Sequence, residues 1–211
     1  GDELEMTMGF GHGFPTLASF LETGTAENVY LVSEKTREKL MPASKYTLRS
    51  HNGLEEGSYI LASYVPYYSS KTSRGYMHQT KMHLEDVVKC EHNNYCMKAI
   101  VNVGESNEDV SKRLGQPLEI IPLKNPGKME PGDNLPVRVV LNGDPLANNK
   151  VHAYKGSFAG NKNIQTVETD QNGRAEIQMT SPGLWLVKSK FEEKYPNKEV
   201  CDIKEFIGSL T

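Results

Sequence analysis

The sequence predicts an all-β chain in two parts, two β-sandwich-like domains in series. Three observations predict it. Apolar residues recur with period two almost throughout. Gly, Asn and Pro punctuate the second half every 10 to 15 residues or so. No amphipathic helix pattern longer than three turns interrupts them.

The elements follow in order. Glu3-Leu4-Glu5-Met6-Thr7-Met8 alternates strictly, so Leu4, Met6 and Met8 face a core. "GFGHGFP", residues 9–15, is a glycine-rich bend leaving that strand, with Phe14 anchoring it. Val29 to Val32 is a second strand. Residues 45–50 and 58–64 read as a hairpin around His51-Asn52-Gly53. From Val65 to Cys96 the pattern predicts a long irregular loop, because "PYYSSKTSRGY" is polar and turn-rich. Met97 to Val103 alternates again and stops at Gly104. The polar run "ESNEDVSKRLGQ", with Asp109 and Ser111 as caps of a short helix, marks the boundary. Residues 1–115 then form an N-terminal β domain carrying the loop 65–96, and residues 116–211 a C-terminal sandwich.

In the second half, Leu118 to Leu123 is extended, with Pro122 suited to an edge. Val137, Val139 and Leu141 share a face up to the turn at Asn142-Gly143, and Val151 and Ala153 begin the return. A turn at 170–173 leads into Ala175, Ile177 and Met179, and Pro182-Gly183 leads into Leu184 to Val187, with Trp185 on the core side. His152 falls opposite Val151 and Ala153, facing outward.

Bulk composition narrows the function. A net charge of −3 from 24 basic and 27 acidic residues leaves no electrostatic footprint for nucleic acid. No apolar run approaches the ~20 residues that span a bilayer. The start at Gly1-Asp2-Glu3, without Met, fits an exported chain whose leader has been removed. No nucleophile elbow or phosphate-binding glycine loop is legible, and the paired carboxylates Glu55-Glu56 and Glu192-Glu193 read as solvated charge, so the expectation is a protein that is not an enzyme.

The densest chemistry lies at residues 76–96, where His78, His83, His92, Cys90 and Cys96 gather five of the chain's nine His and Cys residues. Imidazole and thiolate suit zinc, nickel, cobalt or copper, and Met77, Met82 and Met97 add thioethers suited to Cu(I). The spacing matches no standard site, and the reading preferred over metal ligation for Cys90 and Cys96 is a small disulfide loop in an oxidising compartment. Cys201 is left over, buried or available to a partner.

The segments "GQPLEIIPLKNPGKMEPGDNLPVRVVLNGDPLANNKVHAY" and "TDQNGRAEIQMTSPGLWLVKS" resemble the family of periplasmic components of cobalt/nickel uptake systems. "GHGFP", "PYYSSKTSRGY", "AIVNVG" and the closing "YPNKEVCDIKEFIGSLT" are similar to that family as well. The resemblance implies an immunoglobulin- or prealbumin-like (transthyretin-like) C-terminal sandwich and a periplasmic protein that binds nickel or cobalt and passes it to a membrane transporter component. Zinc and copper remain open. His12 and the stretch from Tyr67 to Thr72 are the shared features, while the His/Cys-rich insert at 78–96 is less typical of the family; His12 together with His78 and His83 of that insert, with His92 in reserve, are the expected ligands. The rival reading is a structural, adhesion or glycan-binding surface module. Its contact surface would be the loop 65–96, with Tyr67, Tyr68, Lys71 and Tyr76.

Overall fold

The computed structural model describes residues 2–11, 14–16, 18–105, 109–156 and 163–211. Its strands are β1 (Glu3–Thr7), β2 (Gly9–Phe10), β3 (Ser19–Phe20), β4 (Glu27–Val32), β5 (Arg37–Lys39) and β6 (Met41–Pro42). There follow β7 (Thr47–Gly53), β8 (Gly57–Thr72), β9 (Gly75–Met77), β10 (Val87–Val103), β11 (Leu118–Pro122) and β12 (Asn134–Leu141). The last are β13 (Asp144–Pro145), β14 (Lys150–Lys155), β15 (Asn163–Glu168), β16 (Arg174–Gln178), β17 (Trp185–Lys194) and β18 (Ile203–Leu210). Single 3₁₀ turns at Lys81–His83 and Pro126–Lys128 are the helical elements among the described residues. The molecule is all-β, as the alternation predicts.

A nine-stranded sheet in the order β15-β14-β17-β18-β10-β8-β4-β5, with β9 on β8, is the spine. It runs straight across the 115/116 boundary, because β10 pairs in parallel with β18. Its inner face packs on the smaller sheet of β11, β12, β13 and β16. Cys96, Val151, Val187 and Phe206 there meet Leu118, Ile120, Val137 and Ile177. Trp185 belongs to this core and donates its indole N–H to the Ser181 carbonyl at 3.1 Å. The outer face is covered around Leu31 and Leu61 by the sheet β1-β7-β6, whose Leu48, with Met8 just after β1, completes a second core joined by Leu4 and Met6. Apolar side chains buried this way contribute roughly 1.5–3 kcal/mol each, which is what holds the layers together.

Four expectations are corrected. Residues 65–96 are not an irregular loop: β8 and β10 form one long hairpin, paired from Gly57↔Val103 to Thr72↔Val87. Its outer half is polar because β4 ends its pairing at Tyr64 and leaves one edge open, where Pro66 needs no N–H partner. Residues 47–53 and 57–64 are both extended but do not pair. β7 joins β1 and β6, and β8 joins β4 and β10. The short helix near Asp109 does not form. The Asp109 carboxylate accepts from Ser111 N–H at 2.7 Å, and Glu119 accepts from Leu114 N–H at 2.5 Å, so side chains take the donors a helix would use. Finally, Cys90 is bonded to Cys201, with Cα atoms 4.9 Å apart, and Cys96 is a buried free thiol. Cys90 and Cys96 lie six residues apart on one strand, a rise of roughly 20 Å, about three times what a disulfide spans. Cys201 is neither an inert core residue nor a free handle.

The Asn142-Gly143 turn behaves as its residues dictate. Both have positive φ, 50° and 100°, the backbone a tight β12–β13 hairpin requires.

Candidate functional site

After β1, residues 9–11 and 14–16 lie over the outer face and are the described parts of a strap. Its neck is closed by β2 pairing with β3 and by Ala18 N–H donating to the Phe10 carbonyl at 2.7 Å. At one end, Phe10 meets the Tyr95 ring of β10 edge to face at 5.1 Å. At the other, Phe14 packs over Gly156, where a Cβ would sit 3.2 Å from the Phe14 ring and 3.2 Å from the Leu184 carbonyl oxygen. Glycine at 156 is what lets the strap lie this close. A cavity of about 300 Å³ lies beside these anchors, lined by Met6, Met8, Gly11, Phe14, Tyr95 and Met97 among others. His12 lies outside the described residues; Gly11 and Phe14 on either side of it both line the cavity.

The other predicted ligands are not brought together. Tyr67 and Tyr68 are successive residues of a regular strand and project to opposite faces. His78 meets Tyr67 edge to face at 5.8 Å on the outer face. His92 stacks on Tyr68 at 4.2 Å on the inner face. His78 and His92 therefore flank the sheet from opposite sides and cannot share one ion. His83 is exposed on the 3₁₀ turn Lys81–His83. Among the described residues, no three His, Cys, Asp or Glu side chains gather as a metal centre.

Nor do the four expected contact residues form one patch. Tyr68 is tied inward by a 2.8 Å hydrogen bond to the Tyr195 hydroxyl. That bond, with burial, pushes its phenol up to about 12. The His92 ring is held below the usual histidine value by burial and then by Lys204, and its Nδ1 is covered without a hydrogen-bond partner. Lys71 and Tyr76 stand opposite each other at the exposed β8–β9 turn.

Two arrangements were not foreseen. The first is an aromatic row on the outer face, Phe10–Tyr95–Tyr67–His78, in which Tyr95 and Tyr67 are parallel within 4° at 5.8 Å. Only strand pairing brings positions 67 and 95 side by side. The second is Lys98–Glu119, an ion pair of 2.6 Å with side chains 1% and 0% exposed. Lys98 also donates to the Ile120 carbonyl at 3.3 Å, and Glu119 accepts from Leu114 and Gly115, so both charges are satisfied inside the core. Burial lowers the Lys98 pKa against the pull of Glu119, the mark of a structural tie between the sheets.

The fold and site thus define an all-β protein with a strapped cavity on the outer face of a shared sheet. The family model described as a domain of unknown function, DUF4198, matches residues 1–193, and the chain belongs to that family. Comparison with curated proteins finds no significant match. No helix among the described residues is long and apolar enough to cross a membrane.

Proposed function

We propose that this chain is an extracytoplasmic, non-enzymatic protein that takes a transition-metal ion under the strap and passes it to a membrane uptake component. The observation that carries the reading is the cavity itself. Met6, Met8 and Met97 line it, and covalent geometry keeps His12 within one residue of Gly11 on its wall. Imidazole with thioether sulfur suits late first-row metals. The resemblance to cobalt/nickel uptake components supports nickel or cobalt among these, with zinc and copper as the competing ions. The Cys90–Cys201 disulfide supports an oxidising compartment.

Calorimetric titration of the whole chain with Ni²⁺, Co²⁺, Zn²⁺ and Cu⁺ tests this. The expected result is one saturable site, tighter than about 100 μM, for at least one ion. His12→Ala abolishes it, while His78→Ala and His83→Ala leave it unchanged. Affinity falls as pH drops below about 6, where protons compete for the imidazole. No saturable site for any of the four, or a site indifferent to His12→Ala, overturns the reading.

A further inference from the structure

On the face of the spine sheet away from the strap, a second cavity of about 320 Å³ opens beside β4. It accompanies a bulge in that strand. Glu27 stands opposite Tyr64 and Tyr30 opposite Ala62, so β4 carries one residue more than β8 between the two pairs. Asn28 lies in the excess with φ at 53°, a left-handed backbone that asparagine tolerates. Alternation sends Leu31 into the core under β1-β7-β6 and Tyr30 to the other face, against Val32, Ile60 and Val110. Tyr30, Arg37, Tyr64, Leu114 and Gln116 are among the residues that line the cavity.

Two of these side chains have capacity left over. The Arg37 guanidinium lies 4.3 Å from the centroid of the Tyr30 ring and makes no ion pair with any described residue. It is the single charged side chain in the described lining, and stacking holds its planar fork in place. Gln116 donates from Nε2 to the Ser63 carbonyl at 2.8 Å and the Met97 carbonyl at 3.3 Å, which fixes the sense of its amide. Its Oε1 is covered and has no hydrogen-bond partner. An idle covered acceptor costs stability, and the backbone here is pinned against relieving it. Leu114 and Gly115 both donate their N–H to Glu119, which is itself locked to Lys98. A stacked surface arginine alone asks for nothing. Beside a fixed acceptor in want of a donor, it describes a ligand with two ends.

From the unpaired Arg37 fork, the idle Gln116 oxygen and the cavity that both line, we propose a binding site for a carboxylate with an N–H on the adjoining carbon. That is the shared chemistry of a free α-amino acid and of a peptide's C-terminal residue. The carboxylate takes the guanidinium through two parallel hydrogen bonds, and the N–H donates to Gln116 Oε1. One fixed cation suits a monoanion better than a phosphate. The site lies on the opposite face from the strapped cavity, so it does not rest on the metal reading.

The test is a proton–nitrogen correlation NMR titration of the full chain, with EDTA present to silence any metal site. The probes are leucine, N-acetyl-leucine, N-acetyl-phenylalanine and the tripeptide Gly-Gly-Leu. At least one is expected to saturate with a Kd on the order of 1 mM, shifting the amide signals of Tyr30, Gly115 and Gln116. Tighter binding of leucine assigns the free amino acid, and tighter binding of the acetylated acids or the tripeptide assigns a peptide end. Two analogues probe the two ends of the ligand without altering the protein. N-acetyl-leucinamide lacks the carboxylate, and the ester analogue carries oxygen in place of the N–H; each should bind at least tenfold more weakly. Arg37→Gln abolishes binding and Arg37→Lys weakens it tenfold, since lysine keeps the charge without the fork. Arg49→Gln, on another sheet, leaves it unchanged. The proposal fails if no probe saturates below about 20 mM, if the analogue without N–H binds as well as its parent, or if Arg37→Gln still binds. Tighter binding of inorganic phosphate than of every probe also overturns it.

Discussion

Cys96 shows how position decides the chemistry of a side chain. Burial between the sheets is the main force pushing its thiol up to about 12, so the thiolate needed for reaction is scarce at neutral pH. Iodoacetamide at pH 8 is expected to leave the native protein unmodified and to alkylate one thiol per chain in denaturant. Labelling of the folded chain at a comparable rate would refute this. His92 carries a pH dependence whose sign can be worked out. Its folded pKa lies below the unfolded value of about 6.5, so between the two the unfolded chain holds more protons. Stability from this group is complete above about 6.5 and is lost as pH falls through that window. His92→Gln should flatten the slope of unfolding free energy between pH 5 and 6.5 in urea titrations; an unchanged slope would remove His92 as its source. At this scale the sequence was legible where alternation alone decides: Met8 and Trp185 inside, His152 outward. It was silent on the Lys98–Glu119 pair, because two charges on separate strands show their common burial only once the two sheets pack together.

At the scale of elements, the β8–β10 hairpin is held at its far end by Cys90–Cys201, reinforced by Lys81 pairing with Asp202 and by Asp202 accepting from Cys90 N–H at 2.8 Å. The bridge closes a loop with a sequence separation of 111 residues. In the chain-entropy account, a loop of that size corresponds to about 4–5 kcal/mol of constraint on the unfolded state. Replacing both cysteines by serine should therefore lower the unfolding free energy by about 4 kcal/mol in guanidinium titrations. A change below about 1 kcal/mol would show that the local ion pair suffices. The strands of the second half were readable because turns such as Asn142-Gly143 prescribe their own geometry. The outer half of β8 was not, since its sequence is that of a solvated edge, and solvated strands and loops share the same polar residues. The cysteine partner was likewise out of reach, as parity and spacing leave three pairings among three cysteines.

At the scale of the molecule, the sheet shared between residues 1–115 and 116–211 makes the two segments mechanically one. The core that holds Trp185 also takes Cys96 from β10 and packs Tyr64 and Ile100 against it. Fluorescence of Trp185, the chain's one tryptophan, should therefore lose its buried signal at the same denaturant concentration at which far-UV circular dichroism reports loss of strands. Two separated midpoints would instead indicate independent units. The alternation announced β-structure in both halves, yet the joint itself, β10 beside β18, depends on a pairing between residues about a hundred positions apart that no local pattern encodes.

That joint also orders events during synthesis. β18 is the last strand in chain order and fills the slot between β10 and β17. A polypeptide emerging amino end first, from a ribosome or a secretion pore, must hold that slot vacant until residues 203–210 arrive. Until then β10 and β17 each present a naked row of peptide groups, the template on which extended chains aggregate. A molecule interrupted before residue 203 is thus the species most in need of a chaperone, and oxidation of Cys201, two residues upstream of β18, is timed by position to seal the sheet as its keystone enters.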